Sequence, residues 1–278
     1  MRHAASRRSL RPRGLTTLSL SRPERDIPPL LFAPDPEITE TTIWLRRLSA
    51  AHDGLKVVHL TDIHHSLFTP LEDVQRVVQL ANELEPDVVA LTGDYVTLSP
   101  SYIWPVARAL GKLRARKGVY AVLGNHDFQV DADAVTLALR AQRIHVLRNA
   151  HHALRAGPST LWLVGVDDLD WAADDLPAAL RSLPAHDPKV LLCHNPLGIW
   201  RAAPHGIDFI LAGHTHGGQI RVPGFGSLYR SKLGERFVAG WNRLDGTQIY
   251  VNRGIGKVVL PVRIGCPPEI ACLRLRRA

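Results

Sequence analysis

The chain has 278 residues, of which 45% are hydrophobic and 6% aromatic, and this fits one large α/β domain with a sizeable core. The net charge of +8 is concentrated at the ends, because residues 1–26 hold seven Arg against two acidic residues and three Arg lie among the last five residues. Residues 27–273 are therefore neutral overall and show no basic stripe with interleaved aromatic residues, which argues against nucleic-acid binding.

The basic segment 1–26 is interpreted as a disordered extension, able to contact an anionic membrane surface. No apolar run approaches the roughly 20 residues of a membrane span, and Arg7-Arg8 is not followed by the apolar segment of an export signal. Three scattered cysteines are too few for a disulfide framework and are compatible with a reducing compartment. We expect a cytoplasmic protein, with peripheral contact to the inner membrane face through residues 1–26 as the alternative.

Residues 27–278 are predicted to form a single domain that opens with a proline-rich lead-in and an edge strand between residues 39 and 48. Strands and helices then alternate, which predicts parallel strands joined by right-handed crossovers. These elements are strand 55–61, helix 70–85, strand 87–92, helix 104–116, strand 119–123 and a helix from Asp131 or Asp133 to Gln142.

From residue 144 onwards the predicted elements become shorter. They are strands 144–147, 152–154, 161–166, 189–193, 207–212, 219–222, 247–252 and 269–275, with short helices at 176–183 and 196–203. We therefore predict one α/β domain with two packed sheets and helices outside them.

Five of the predicted strands are each followed directly by Asp, Asn or His. These residues are, in chain order, Asp62 and His64, then Asp94, then Asn125, His126 and Asp127, then His194, and finally His214 and His216. Because ligands of open α/β sheets bind outside the carboxyl ends of the strands, we expect these side chains to surround one crevice.

The chemistry of this set combines carboxylate oxygen, amide oxygen and imidazole nitrogen without a thiolate, which suits Mn, Fe, Zn, Ni or Co. The ligands are too many for one tetrahedral ion but enough for two ions that share a carboxylate, for which Asp94 stands in the middle of the set. Two ions roughly 3.5–4 Å apart form a clamp used in phosphoester hydrolysis, in which a bridging hydroxide attacks phosphorus.

Over about residues 55–275 the chain resembles the calcineurin-like metallophosphoesterases. Their signature is Asp-x-His, Gly-Asp, Gly-Asn-His-Asp/Glu, a lone His and Gly-His-x-His. Here it stands as Asp62-Ile63-His64, Gly93-Asp94, Gly124-Asn125-His126-Asp127, His194 and Gly213-His214-Thr215-His216. The glycine-rich segment 252–270 is similar to the bacterial branch of YkuE- and YaeI-like phosphohydrolases.

The resemblance implies a two-sheet β-sandwich flanked by helices, in α/β/β/α layers, and two divalent metal ions. It assigns the first ion to Asp62, His64, Asp94 and His216, and the second to Asp94, Asn125, His194 and His214. His126 would not be a ligand but would hydrogen-bond the phosphate and stabilise or protonate the leaving oxygen, oriented by Asp127.

The predicted function is a two-metal phosphodiesterase or pyrophosphohydrolase acting on a small phosphodiester or a nucleotide-sugar or lipid substrate. One alternative is a membrane-surface pyrophosphohydrolase of the kind that cleaves UDP-2,3-diacylglucosamine, and another is a non-catalytic interaction module on the same fold.

Arg253 and Arg263 are candidate phosphate-binding residues, because guanidinium groups suit phosphate recognition. A salt bridge to Glu269 or Asp245 is the alternative for these arginines. Three further acidic residues lie outside the signature and are interpreted as a solvated turn: Asp167, Asp168 and Asp170.

Overall fold

The computed structural model describes residues 35–222, 226–227 and 237–278, so the predicted extension 1–26 lies outside the described residues. The strands up to the middle of the chain are β1 (Glu37–Leu45), β2 (Lys56–Leu60), β3 (Val88–Thr92), β4 (Val119–Val122), β5 (His145–Val146), β6 (Ala150–Ala156) and β7 (Ser159–Gly165). The later strands are β8 (Lys189–Leu192), β9 (Phe209–Ala212), β10 (Arg221–Val222), β11 (Gly226–Ser227), β12 (Gly240–Leu244), β13 (Thr247–Val251) and β14 (Glu269–Arg277). The helices are α1 (Leu71–Glu83), α2 (Ile103–Leu110), α3 (Asn125–Ala141), α4 (Leu176–Ala179) and α5 (Gly198–Ala202).

Two six-stranded sheets carry the fold, with strand orders β1-β14-β2-β3-β4-β5 and β12-β13-β9-β8-β7-β6. Strands β2 to β5 are parallel neighbours, as their alternation with helices predicted. Strands β7, β8, β9 and β13 are parallel in the second sheet, whereas β14 runs antiparallel to β2 and β6 antiparallel to β7. His194, after β8, bonds the carbonyl of Thr92 at the end of β3, so the carboxyl ends of the parallel strands of both sheets lie at the same end of the molecule.

The alternation of side chains along each strand builds the layers. In β2, Val57 packs into an apolar layer between the two sheets, while Val58 points to the outer face, against helices α1 to α3. The outer face of the second sheet is covered by α4 and α5 through residues such as Leu176 and Ile199. This arrangement confirms the expected α/β/β/α layers.

Two helices differ from their predicted ranges for local reasons. Helix α2 ends at Leu110 rather than at residue 116, because the following turn is held by Asn82, whose side chain bonds the carbonyl of Lys112 and the N–H of Arg114. Helix α3 has non-helical backbone at Asp131, where two helical segments meet. The second segment begins where it was predicted, with the Asp131 side chain accepting the N–H of Ala134 at 2.9 Å, whereas the first segment, from Asn125, was not predicted. Within the described residues, no helix combines the length and apolar character that crossing a bilayer requires.

Candidate metal centre

The residues predicted as metal ligands meet where the carboxyl ends of the two sheets face each other. Asp62 follows β2, Asp94 follows β3, and Asn125 opens α3 after β4, while His194 follows β8 and His214 follows β9. Backbone hydrogen bonds join these strand ends, for example from the Asp62 N–H to the Gly93 carbonyl at 3.0 Å.

The first predicted ligand set consists of Asp62, His64, Asp94 and His216, and its side chains are buried. His64 Nε2 lies 3.0 Å from His216 Nε2 and 3.4 Å from Asp94 Oδ2. His216 Nε2 lies 3.2 Å from Asp62 Oδ1. Two ligands held at about 2.1 Å from one ion at a right angle are about 3 Å apart, so these separations suit a common ion.

The second predicted ligand set consists of Asp94, Asn125, His194 and His214. His194 Nε2 lies 3.2 Å from Asp94 Oδ2, the same oxygen that faces His64 in the first set. His214 Nδ1 lies 3.0 Å from Asn125 Oδ1, and the rings of His194 and His214 meet edge to face. Asp94 is thus the carboxylate that contacts both sets.

The hydrogen bonding of the histidines leaves their inner nitrogens available for a cation. His194 Nδ1 bonds the carbonyl of Thr92 at 2.7 Å, whereas its buried Nε2 has no hydrogen-bond partner among the described residues. His64 Nδ1 is held in the same way by Thr97 Oγ1 at 2.6 Å. Outer bonds of this kind fix a metal-binding imidazole, so the donor set fits a divalent metal ion.

The charges of the buried carboxylate and imidazole groups also support the binding of a cation. Burial acts to raise the pKa of Asp94, but His194 and His64 outweigh it and lower that pKa below its usual range. Burial acts to lower the pKa of His194, and Asp94 reverses this and raises it well above the usual value. The carboxylate therefore attracts positive charge, and a metal ion that takes this place displaces the proton.

Backbone strain is concentrated at the centre. Five of the seven predicted metal ligands have positive φ, between 47° and 70°: Asp62, His64, Asp94, His214 and His216. Few residues other than glycine adopt this conformation, and it persists only where the surroundings impose it. A further constraint comes from Gly124 and Gly213, where a Cβ would collide with the carboxylates of Asp94 and Asp62 respectively.

The expected partnership between Asp127 and His126 is corrected by the structure. The buried Asp127 carboxylate accepts backbone N–H groups of Asp94 at 2.8 Å, Tyr95 at 2.9 Å and Gly124 at 2.9 Å. His126 Nδ1 is buried without a hydrogen-bond partner among the described residues. Adjacent side chains of a helix do not face each other, so Asp127 fixes the loop of Asp94 rather than the imidazole of His126.

The two candidate phosphate-binding arginines lie behind the centre rather than in its cavity. Arg253 bonds Glu269 at 3.1 Å and Glu37 at 2.9 Å, which confirms the alternative of a salt bridge to Glu269. Arg263 is half-buried, donates to the carbonyls of Gly256 and Arg253, and lies 3.2 Å from Nδ1 of His216. It therefore packs against a predicted ligand from behind.

The interpretation of Asp167, Asp168 and Asp170 as a solvated turn is wrong for Asp167 and Asp168, whereas Asp170 is exposed. Asp167 and Asp168 are buried, and burial raises the pKa of Asp168 to about 6. Asp170 Oδ2 lies 3.7 Å from His214 Nε2, and Trp171 donates its indole N–H to the carbonyl of Asn125 at 3.1 Å. Sequence reasoning missed these contacts, although four acidic or aromatic residues directly after a strand of the second sheet were a usable signal.

A cavity of about 470 Å³ opens over the centre. Its polar wall includes Asn125, His126 and His214, and its apolar wall is formed by four aliphatic side chains. These are Ile220, Val258, Val259 and Leu260. No Arg or Lys lines this cavity among the residues that the structure describes.

Comparisons with known proteins agree with this geometry. The family profile of calcineurin-like phosphoesterases matches residues 55–218. The chain is 34% identical to the uncharacterized metallophosphoesterase YkuE of Bacillus subtilis over 244 residues, covering 86% of this chain and 85% of that protein. It is also 34% identical to the phosphodiesterase YaeI of Escherichia coli over 226 residues, covering 79% of this chain and 82% of that protein.

The fold itself has a counterpart of low sequence identity. The crystal structure of TT1561 of Thermus thermophilus superimposes with a TM-score of 0.50 at 13% identity, covering 73% of this chain and 90% of that chain. The profile and the bacterial relatives show that the chain belongs to the calcineurin-like phosphoesterase family.

Proposed function

We propose that this protein is a two-metal phosphodiesterase or pyrophosphohydrolase whose substrate carries an apolar group. The observation that carries the proposal is the position of Asp94, whose Oδ2 lies 3.4 Å from His64 Nε2 and 3.2 Å from His194 Nε2. A carboxylate shared between two sets of ligands is what a two-metal site requires. Mn, Fe, Zn and Ni all suit these ligands.

When bound, two divalent ions lower the pKa of a coordinated water and neutralise charge on the phosphate. The contribution of the chain itself is to position the ester and to move a proton. The His126 backbone N–H bonds Asp94 Oδ1 at 2.8 Å, and its ring meets that of His64 edge to face. This holds the imidazole beside the ligand sets, where it can hydrogen-bond the phosphate and give a proton to the leaving oxygen.

The charge of the described residues that line the cavity favours a diester over a monoester. A phosphodiester carries one negative charge near neutral pH, whereas a monoester carries close to two. The described residues that line the cavity include no cationic side chain that would balance the second charge outside the metal centre.

The apolar wall points to an apolar substituent on the substrate. Val259 is 85% exposed and Leu260 49% exposed beside the polar centre. Covering such side chains with an alkyl or acyl group gains up to about 0.8 kcal/mol for each buried CH₂. A lipid-linked nucleotide sugar such as UDP-2,3-diacylglucosamine belongs to this class, since it joins a pyrophosphate to acyl chains.

The first test is hydrolysis by the metal-stripped full chain after reloading with Mn²⁺, Ni²⁺, Zn²⁺ or Mg²⁺. We expect metal-dependent turnover of bis-p-nitrophenyl phosphate that exceeds turnover of the monoester and falls by at least about 100-fold in His126→Ala. Two bound metals without turnover of either ester would favour the non-catalytic interaction module instead.

The preference for an apolar substituent is tested by measuring hydrolysis of p-nitrophenyl alkyl phosphates whose alkyl chain lengthens from methyl to octyl. We expect kcat/KM to rise with chain length in the wild type and to rise less in Leu260→Ser. Leu137→Ser is the matched control, because Leu137 is 63% exposed on α3 and does not line the cavity. A flat series in the wild type would remove the apolar substituent from the proposal.

The membrane contact of residues 1–26 is a separate proposal, supported by their seven Arg. Deletion of this segment should abolish sedimentation with liposomes that contain anionic lipid. Unchanged sedimentation after the deletion would contradict a role of residues 1–26 in membrane contact.

A further inference from the structure

Four exposed aliphatic side chains lie at the end of the molecule that carries the candidate metal centre. Leu67 is 84% exposed and Leu98 is 78% exposed, and they lie in the loops that follow β2 and β3. Val259 and Leu260 lie in the loop between β13 and β14 and form part of the cavity wall. We call these four side chains the apolar rim. Leu67 and Leu98 do not line the cavity, so a substrate bound there would leave both side chains in water.

Hydrogen bonds join the three loops that carry the apolar rim. The backbone N–H of His65 donates to the carbonyl of Tyr95 at 2.9 Å, which links the loop after β2 to the loop after β3. The backbone N–H of Lys257 lies 3.3 Å from Thr69 Oγ1, which links the loop between β13 and β14 to the loop after β2. The three loops are therefore direct neighbours beside the cavity.

Two members of the apolar rim have strained backbone. Leu98 and Val259 both have a φ of 62°, in the left-handed region. Branched aliphatic residues rarely adopt this conformation, which Gly and Asn adopt at a lower cost. Because both side chains are exposed, packing within the chain does not offset this cost. Strain of this kind is concentrated at functional sites, which indicates that a bound surface covers these side chains.

The N-terminal segment joins the folded body at this same end of the molecule. The described chain starts at residue 35, and β1 begins at Glu37. The Glu37 N–H donates to the carbonyl of Pro268 at 2.8 Å, and its carboxylate lies 2.9 Å from a guanidinium nitrogen of Arg253, which lies behind the candidate centre. The segment 1–26, with its seven Arg, therefore precedes the fold on the side of the apolar rim.

An anionic membrane surface fits both features. The three loops, residues 65–70, 95–99 and 255–265, contain no Asp or Glu, so the rim can enter an apolar layer without burying a carboxylate. The Arg side chains of residues 1–26 are attracted to anionic head groups. Stable attachment to a bilayer usually takes two such signals, because one alone gives marginal binding.

We propose that the apolar rim is a membrane-docking surface which, together with residues 1–26, places the mouth of the cavity on a bilayer that contains anionic lipid. The inference deepens the proposed function and rests on it in one respect, since the apolar substrate would enter the cavity from that bilayer. The docking itself requires neither the metal ions nor turnover.

The test is sedimentation of the full chain with vesicles of phosphatidylcholine and phosphatidylglycerol in a two-to-one ratio. We expect Leu67→Ser to lower the partition coefficient by roughly 10-fold, the lower limit for burial of one leucine side chain. Leu137→Ser is the matched control, because Leu137 is an equally large exposed side chain on α3, outside the rim. It should keep the wild-type partition coefficient.

Leu98→Asn separates docking from a structural role. Asn adopts a positive φ more readily than Leu, so the Tm of this variant should equal or exceed that of the wild type. The partition coefficient should nevertheless fall by a factor similar to that of Leu67→Ser. A residue with only a structural role would lower both quantities together or neither.

A fluorescent label gives a second readout of insertion. The three native cysteines are buried, so a polarity-sensitive maleimide dye is directed to the introduced thiol of Leu67→Cys. We expect the emission of this label to shift to shorter wavelength when vesicles are added. The same label on Leu137→Cys should show no shift.

The proposal would be overturned if the full chain did not sediment with these vesicles, or if Leu67→Ser and Leu98→Asn bound them as the wild type does. Self-association of the wild type that is lost in Leu67→Ser, without vesicle binding, would assign the rim to a second copy of the chain and also overturn it. Vesicle binding by a chain that hydrolyses no phosphoester would contradict the proposed function alone, and metal-dependent diester hydrolysis without vesicle binding would contradict this inference alone.

Discussion

Oδ2 of Asp94 lies 3.2 Å from Nε2 of His194, and both groups are buried. The same oxygen is 3.4 Å from His64 Nε2, so a single atom connects the ligands from the two sheets. A substitution of Asp94 should therefore weaken metal binding by both ligand sets. A substitution of a residue that belongs to one set should weaken metal binding by that set only.

We predict that Asp94→Asn weakens both metal equivalents by more than about 100-fold, since loss of an outer partner alone costs about 10–100-fold. His216→Ala should weaken only one equivalent. Calorimetric titration of the stripped variants measures both effects. Retention of one full-affinity equivalent in Asp94→Asn would show that its carboxylate is not shared.

The imidazole of His126 lies at the cavity but has no role as a ligand in our proposal. His126→Ala should therefore lower kcat for bis-p-nitrophenyl phosphate by about 100–10,000-fold, the usual contribution of a proton-transfer group. The metal content, measured by atomic emission, should stay at the wild-type value. The matched control is His186→Ala, because the His186 side chain is 86% exposed. Loss of metal together with activity would make His126 a ligand instead.

The strand ends explain why the centre could be predicted from the sequence. Asp62, Asp94 and His214 each lie two residues after the last residue of an apolar strand, and parallel strands bring such positions to one edge of the sheet whatever their side chains pack against. The two packed sheets with helices outside them were predicted from the same alternation of strands and helices along the chain.

The parts that could not be predicted depend on contacts between distant segments. Asp170 reaches His214 only because the loop after β7 is closed by Asn149, and no spacing in the sequence records that closure. Likewise, Arg263 suits a phosphate by its chemistry, but the fold places it behind His216. The early end of α2 reflects the side chain of Asn82, 30 residues away from Lys112.

Asp127 should contribute to stability rather than to proton transfer. In Asp127→Asn an NH₂ group replaces one carboxylate oxygen. This NH₂ group faces a backbone N–H and cannot accept its hydrogen bond. Leaving one of the three buried donors unpaired costs about 1–3 kcal/mol of unfolding free energy.

Urea unfolding of Asp127→Asn measures this cost. Asp133→Asn is the control on the same helix, because the Asp133 side chain is 93% exposed and its pair with Arg148 should contribute at most about 1 kcal/mol. Equal stability of the two variants would contradict the role of Asp127 as the acceptor of these three backbone N–H groups.

His59 should make the stability of the protein depend on pH. The imidazole is fully buried, its Nε2 lies 2.8 Å from Thr92 Oγ1, and burial lowers its pKa to about 4 although Glu269 and Asp62 act in the opposite direction. The unfolded chain binds a proton at His59 below about pH 6.5, whereas the folded chain does not until about pH 4. The stabilisation is therefore complete above pH 6.5 and is lost as the pH falls towards 4, by up to roughly 3 kcal/mol.

The measurement is the unfolding free energy in urea at pH 7 and at pH 5 for the wild type and for His59→Gln. Gln does not titrate, so the loss of stability between the two pH values should be smaller in the variant by about 2 kcal/mol. His186→Gln removes an exposed imidazole and should keep the wild-type difference. If His59→Gln kept the wild-type difference as well, His59 would be protonated in the folded protein at pH 5. That outcome would contradict a pKa of His59 lowered by burial.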